Sequence, residues 1–208
     1  MRTNAAGYRG GPPAERAVLC LGDSTTFGWG VEEGEAWPAR LAVHLGRDVV
    51  NGGVPGYSTF QGLATIDHAL TLRPEVVVLA YLVRDAERAI APDHLRVAIP
   101  TPPFALARLL RKVRAPRHAP TAADVFRVPP ERYGEHLDAL VARVAATGAR
   151  AVLLAFPMRT PPEEHLAVLR ARGALEVPLA GDAFFAEDPL HLTPAGNDTL
   201  ARAVAEAL

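Results

Sequence analysis

The chain is poor in several residue types, and each shortage removes a class of function. Cys20 is its single cysteine. That excludes an internal disulfide and a multi-cysteine metal site, and its place in an apolar run reads as a small buried hydrophobe. Lys112 is the only lysine, and Lys plus Arg total 22 against 23 Asp plus Glu. A net charge of −1 gives no broad positive field, so no nucleic-acid partner is expected. No apolar run reaches the ~18–20 residues that span a bilayer. The N-terminal "MRTNAAGYRGGPP" lacks the apolar core of a signal peptide. As given, the chain reads as cytoplasmic, with an exported protein or a trimmed precursor as the alternative. No His or carboxylate spacing suggests a metal site.

What is present fits one domain, residues 1–208, with 49 % apolar and 22 % charged residues, an ordinary globular balance. Residues 1–15, rich in Gly, Pro and Arg, read as an extended surface arm. "AVLCLG" (17–22) and "DVVNGG" (48–53) read as short strands, and "EVVVLAYLV" (75–83) as a central parallel strand covered on both faces. "AWPARLAVHLG" (36–46) and "STFQGLATIDHALTLR" (58–73) have helical spacing, the second opening on a capping Ser. "PERYGEHLDALVARVAATG" (130–148), "EEHLAVLRARG" (163–173) and "TPAGNDTLARAVAEAL" (193–208) read as further helices, with "RAVLLAFP" (150–157) as a buried strand and "LEVPLAG" (175–181) as a short last one. A Pro-rich stretch at about 91–130, around the basic amphipathic piece "ALARLLRKVR", reads as a lid-like insert. This alternation predicts an α/β three-layer α/β/α sandwich with a central parallel sheet of about five strands. Ligands bind beyond the carboxyl ends of such strands, which directs attention to 22–30, 52–58, 82–88, 157–161 and 182–192.

Two of those segments carry complementary chemistry. Ser24, in "LGDSTTFGWGV", follows the first strand. A serine hydroxyl needs a base to become a nucleophile, commonly a His oriented by a carboxylate. "EDPLHLTPAG" supplies such a pair: Asp188 and His191, three apart across a proline, before the last helix. Each signal is weak alone; their positions on the first and last strand-end loops make the combination informative. The pattern is not the G-x-S-x-G elbow, because Asp23 precedes the serine and Thr26 replaces the second glycine. Asp23 reads as a cap of the turn. His44, His68, His136 and His165 fall in helices and read as surface or boundary residues.

"LGDSTTFGWGV", "VVNGGVPGYSTFQGL" and "DPLHLTPAG", in that order, resemble the sequence blocks of the SGNH (GDSL) hydrolase family. "TNAAGYRG" is similar to a lead-in seen in one bacterial subgroup. The resemblance covers essentially the whole chain and is weakest over the Pro-rich insert. It implies a flavodoxin-like SGNH fold, an ester hydrolase with no cofactor, and roles for particular residues. Ser24 becomes the nucleophile, His191 the base and Asp188 its orienter. The backbone N–H groups of Ser24 and Gly56 become oxyanion donors, with Gly53 the lesser candidate for the glycine.

The third block departs from the family. Where the pattern is Gly-x-Asn-Asp, "AYLVRDAER" has Leu82, Val83, Arg84 and Asp85. Losing one oxyanion donor typically costs about 10²–10³ in rate. Three readings stay open: Arg84 supplies the donor, Arg84 binds an anionic group of the substrate, or Leu82 and Arg84 fill the pocket of a non-catalytic relative. Arg127 could reach the site from the insert, or be merely solvated. Tyr57 and Trp29 could line an acyl or sugar pocket. The expected substrate is a small ester or an acylated sugar or peptide. The alternatives are an O-acyltransferase to a sugar or peptide hydroxyl and a binding protein of the same fold. The sequence does not set the oligomeric state.

Overall fold

The computed structural model describes residues 3–4, 7–11, 16–97 and 125–208. Its strands are β1 (Val18–Gly22), β2 (Val49–Gly53), β3 (Val76–Ala80), β4 (Arg88–Ala89), β5 (Val125–Phe126), β6 (Arg150–Ala155) and β7 (Leu175–Glu176). Five of them form one sheet in the order β2-β1-β3-β6-β7, parallel throughout, and β4 and β5 pair separately as an antiparallel ribbon. The helices are α1 (Ser24–Phe27), α2 (Trp37–Leu45), α3 (Thr59–Leu70), α4 (Asp93–Val97), α5 (Pro130–Ala146), α6 (Glu163–Arg170) and α7 (Pro194–Ala207).

Successive side chains on a strand point to opposite faces, and both faces of this sheet are covered. Leu19, Leu21, Val77, Leu79 and Leu153 pack with Ile66, Leu137, Leu140 and Leu169 of α3, α5 and α6. Val18, Cys20, Val78, Ala80 and Leu154 pack with Trp37, Leu41, Leu200 and Val204 of α2 and α7. Each fully buried large side chain contributes roughly 1.5–3 kcal/mol. Burial on both sides is why these strands read as unbroken apolar runs, and β3 is central as its composition predicts. It ends at Ala80, before the last residues of its apolar run. Tyr81, Leu82 and Val83 are buried beyond the sheet rather than in it, and the Tyr133 hydroxyl donates to the Tyr81 carbonyl.

The order places β1 between β2 and β3, so the chain steps outward from β1 to β2 and returns over β1 to reach β3. The crevice between the carboxyl ends of β1 and β3 is therefore the topological switch point, where open α/β sheets bind ligands. The stretches leaving β1, β2 and β3 all emerge there.

Two readings change. Residues 7–11 are not a surface arm: Tyr8 is buried in the core, and Arg9 pairs antiparallel with Asn51 on edge strand β2. His136 and His165 are buried rather than peripheral; the imidazole Nε2 of His165 lies 2.8 Å from the Val128 carbonyl, which gives it a partner in the interior. Most of the expected insert, including "ALARLLRKVR", lies outside the described residues. Its described flanks are α4, the ribbon β4–β5 and a bidentate pair of 2.9–3.0 Å between Asp93 and Arg127. Among the described residues no helix is long and apolar enough to cross a membrane.

Candidate active site

The nucleophile candidate sits where β1 gives way to a single helical turn. Asp23 caps that turn, its carboxylate accepting from the Thr25 backbone N–H (2.8 Å) and hydroxyl (2.7 Å). Glycine is required on both sides by close approach. A Cβ at Gly22 would lie 2.2 Å from Thr26 Oγ1, and one at Gly53 of β2 would lie 2.2 Å from the Phe27 nitrogen. The two strand ends thus press against the turn, which leaves Ser24 as its first residue, 3 % exposed.

Ser24 Oγ lies 3.0 Å from His191 Nε2, and His191 Nδ1 lies 2.6 Å from Asp188 Oδ2. The other Asp188 oxygen accepts from the backbone N–H groups of Leu190 (2.8 Å) and His191 (3.1 Å). That fold-back across Pro189 is what a spacing of three allows. Burial works against the Asp188 charge, but the His191 ring and the two backbone donors outweigh it and hold the carboxyl below its usual range. An ionised Asp188 selects the tautomer with the proton on Nδ1, so the lone pair of Nε2 faces the Ser24 hydroxyl. Sequence and structure bring these three residues together from positions 167 residues apart.

Gly56 lies in a tight turn over Val54-Pro55-Gly56-Tyr57. The Tyr57 N–H donates to the Val54 carbonyl at 3.1 Å, and Gly56 has φ +89°. Proline second and a positive-φ glycine third give a type II turn. The loop is pinned to the nucleophile strand by Val54 N–H to Gly22 carbonyl, 2.9 Å. A Cβ on Gly56 would meet nothing within 4 Å, so this edge of the turn faces open space.

The divergent third block flanks the same place. Asp85 Oδ1 accepts from the Thr59 backbone N–H (2.9 Å) and hydroxyl (2.5 Å), anchoring the start of α3. Arg84 reaches Glu87 at 3.2 Å, and its buried Nε has no hydrogen-bond partner among the described residues. Its charge is felt at Asp23: burial raises the Asp23 carboxyl, while the Thr25 bonds and then the charges of Arg84 and His191 oppose the rise. Arg84 follows the end of β3, whose last residue Ala80 pairs with Gly22, two residues before Ser24.

Arg127 and Tyr57 are placed differently. Arg127 donates to both oxygens of Asp93, to Glu87 (3.1 Å) and, through Nη2, to the Gly56 carbonyl (3.0 Å). Tyr57 is half-buried and lines a cavity of about 160 Å³ with Tyr8, Leu21 and Tyr81; Trp29 is exposed. A larger, mostly apolar groove of about 440 Å³ lies over the ends of β6 and β7, between Leu82, Phe156, Met158, Leu166 and Phe184. Phe184 bridges to Leu192, next to His191.

Sequence reasoning missed Arg159. It donates to the carbonyls of Ala186 (3.1 Å), Gly181 (3.0 Å) and Phe185 (3.2 Å), holding the loop that carries Asp188 and His191. No spacing signal marks a residue whose partners are main-chain carbonyls. Among the described residues no group of His, Cys, Asp and Glu side chains could hold a metal ion.

A sequence search among curated proteins found no match. Solved structures with the same fold include TesA (21 % identity, 92 % of this chain and 97 % of that one, TM-score 0.61). The psychrotrophic esterase EstA from Pseudoalteromonas sp. (17 %, 92 % and 96 %, TM-score 0.56) and the SGNH-hydrolase family esterase AlinE4 (21 %, 95 % and 99 %, TM-score 0.52) share it too. The model of the GDSL-like Lipase/Acylhydrolase family matches residues 20–199. With a match over most of its length and the sandwich that such hydrolases share, this chain belongs to the GDSL-like lipase/acylhydrolase family and is a serine ester hydrolase of the SGNH type.

Proposed function

We propose that the protein hydrolyses a small ester through an acyl-enzyme on Ser24. The observation that carries this reading is the contiguous line Ser24 Oγ–His191 Nε2 (3.0 Å) and His191 Nδ1–Asp188 Oδ2 (2.6 Å). His191 takes the Ser24 proton as Oγ attacks the ester carbonyl, and returns it to the departing alcohol as the C–O bond breaks. Asp188 orients the ring and stabilises the imidazolium. Water, deprotonated by the same imidazole, attacks the acyl carbon, and the imidazolium returns that proton to Ser24 Oγ as the acyl C–Oγ bond breaks and the acid leaves. The backbone N–H groups of Ser24 and Gly56 donate to the oxyanion, and Arg84 takes the place of the missing asparagine. Its place in the block where the family has the asparagine, just beyond the end of the strand that pairs with β1, supports that role. The apolar groove beyond Leu82 takes the acyl side of the ester.

The test is a burst assay with p-nitrophenyl acetate, together with labelling by a fluorophosphonate probe. Wild type gives a burst and a labelled Ser24, and Ser24→Ala gives neither. A wild-type protein that shows no burst and takes no label would overturn the acyl-enzyme on Ser24. One observation favours a second reading of Arg84. Its side chain is 27 % exposed, and its ion-pair partner among the described residues is the half-exposed Glu87, so it can also meet an anionic group on the substrate.

A further inference from the structure

The N-terminal segment contributes an arginine that the chemistry above does not use. The backbone N–H of Arg9 donates to the Asn51 carbonyl at 3.2 Å, which fixes the segment along β2. From there the guanidinium reaches the far end of the nucleophile turn. Nη1 donates to the carbonyls of Phe27 (2.5 Å) and Gly28 (2.7 Å), and Nη2 to that of Val31 (2.8 Å). The guanidinium carbon also lies 4.4 Å from the centre of the Phe27 ring, a cation–π contact. Asn51 Nδ2 adds a 3.3 Å bond to the Phe27 carbonyl, so strand β2 and the N-terminal segment converge on one oxygen.

These carbonyls belong to the residues that hold Ser24. The Ser24 carbonyl accepts from the N–H groups of Gly28 (3.1 Å) and Trp29 (3.0 Å). With only four residues, α1 cannot hold itself rigid: helix formation starts from a costly nucleus, and a single turn has almost no internal bonds to repay it. Its geometry must come from outside. Asp23 fixes the first end of the turn, and Arg9 fixes the second. Gly28 shows how closely the clamp fits. It has φ +83°, and a Cβ there would lie 3.0 Å from Arg9 Nη1 and 2.4 Å from Ala36 Cβ. The planar fork reaches the three carbonyls from two nitrogens held apart, a spread that the single nitrogen of an ammonium group does not reproduce.

We propose that Arg9 is a positioning residue for the nucleophile: by tying Phe27, Gly28 and Val31 together, it holds the Ser24 Cα–Cβ bond so that Oγ stays aligned with His191 and the ester carbonyl. The inference rests on the acyl-enzyme reading and adds a determinant of its rate. A misplacement of about 1 Å at a reacting atom can cost ~10²-fold in rate.

The experiment compares wild type, Arg9→Lys and Arg9→Ala in three measurements: kcat and KM for p-nitrophenyl acetate, the rate of fluorophosphonate labelling, and the melting temperature. Arg9→Lys should lower kcat and the labelling rate together by about tenfold. KM should stay within threefold, and the pH midpoint of kcat should not move. Arg9→Ala should lose ~10²-fold and recover part of the loss in millimolar methylguanidinium. A wild-type protein that labels normally, with Arg9→Lys labelling at the same rate well below its melting temperature, overturns this inference and leaves the esterase reading intact. A shifted pH midpoint also overturns it, because Arg9 would then act through His191. Absence of any labelling of wild type removes the esterase reading and this inference with it. If Arg9→Ala fails to fold, Arg9→Lys, which keeps the charge, decides the question.

Discussion

Arg127 Nη2 donates to the Gly56 carbonyl at 3.0 Å across 71 residues of sequence. The same guanidinium holds Asp93 in a bidentate pair and reaches Glu87. The turn whose N–H is proposed to face the oxyanion is thus braced on its opposite side. Replacing Arg127 by Met would break its bidentate pair with the buried Asp93 carboxylate, which costs about 3–5 kcal/mol and would mask any effect on rate. Arg127→Lys keeps the charge, but one ammonium nitrogen cannot span the four acceptor atoms that the guanidinium fork reaches. Its kcat for p-nitrophenyl acetate should fall at least tenfold, within the ~10²–10³ lost with a whole oxyanion donor, while KM changes little. Glu87→Gln, which removes only the half-exposed partner, should remain near wild type. Equal kcat in Arg127→Lys and wild type would mean that Gly56 needs no brace.

Arg84 is tested by the way its loss divides between kcat and KM. As an oxyanion donor it acts in the transition state, so Arg84→Ala should lower kcat by about 10² with KM within twofold. If it anchors an anionic substrate instead, KM should rise for anionic esters alone. A sharp gain of activity in Arg84→Asn would show that the arginine obstructs the pocket, and both roles would fall.

The parts of this molecule that were legible in its sequence are those with a period or a spacing. The run Val76–Ala80 announces a strand buried on both faces because both faces are covered. Ser24, Asp188 and His191 lie on loops whose order along an α/β chain places them at one end of the sheet. What stayed hidden shares a physical cause. Arg9 and Arg159 each grip main-chain carbonyls of one loop of the site, and the site partner of Arg127, itself a candidate from the sequence, is the Gly56 carbonyl. Every residue has such a carbonyl, so no pattern marks the acceptor. His165 was misread for a related reason: its partner is the Val128 carbonyl, which only the packing of α6 against the segment before α5 supplies. The end of β3 was misjudged because Tyr81–Val83 is as apolar as the strand, and composition does not separate burial in a sheet from burial beyond it.

The groove over β6 and β7 predicts a preference among acyl chains. Each buried methylene contributes about 0.8 kcal/mol, close to a fourfold gain in kcat/KM. Met158, half-buried on the groove wall, can be enlarged without touching the residues around Ser24. Met158→Trp should leave p-nitrophenyl acetate hydrolysis within threefold of wild type. It should lower kcat/KM for the octanoate at least tenfold, the loss of two or more methylene contacts. Parallel losses on both esters, or no loss on either, would place the acyl chain elsewhere.

Asp85 gives the protein a dependence of stability on pH whose sign can be worked out. Burial pushes its carboxyl up to about 7, against the bonds from Thr59, and the nearby Asp23 charge pushes the same way. The unfolded value is about 3.9, so between pH ~4 and ~7 the folded chain holds a proton that the unfolded chain has lost. That contribution is fully present below pH ~4 and is lost as pH rises through the folded value. Asp188 and Asp93 are shifted downward, so their contributions are lost on the acid side of this window. His136 and His165 are lowered by burial and act within the window with opposite sign, stability rising as pH rises. A difference measurement isolates Asp85. Asn at this position still offers one oxygen to the Thr59 N–H and hydroxyl, both of which donate to Oδ1. Subtracting the melting temperature at pH 8 from that at pH 5 should give a more positive value for wild type than for Asp85→Asn. Identical differences in the two proteins would mean that Asp85 stays ionised in the fold across this range.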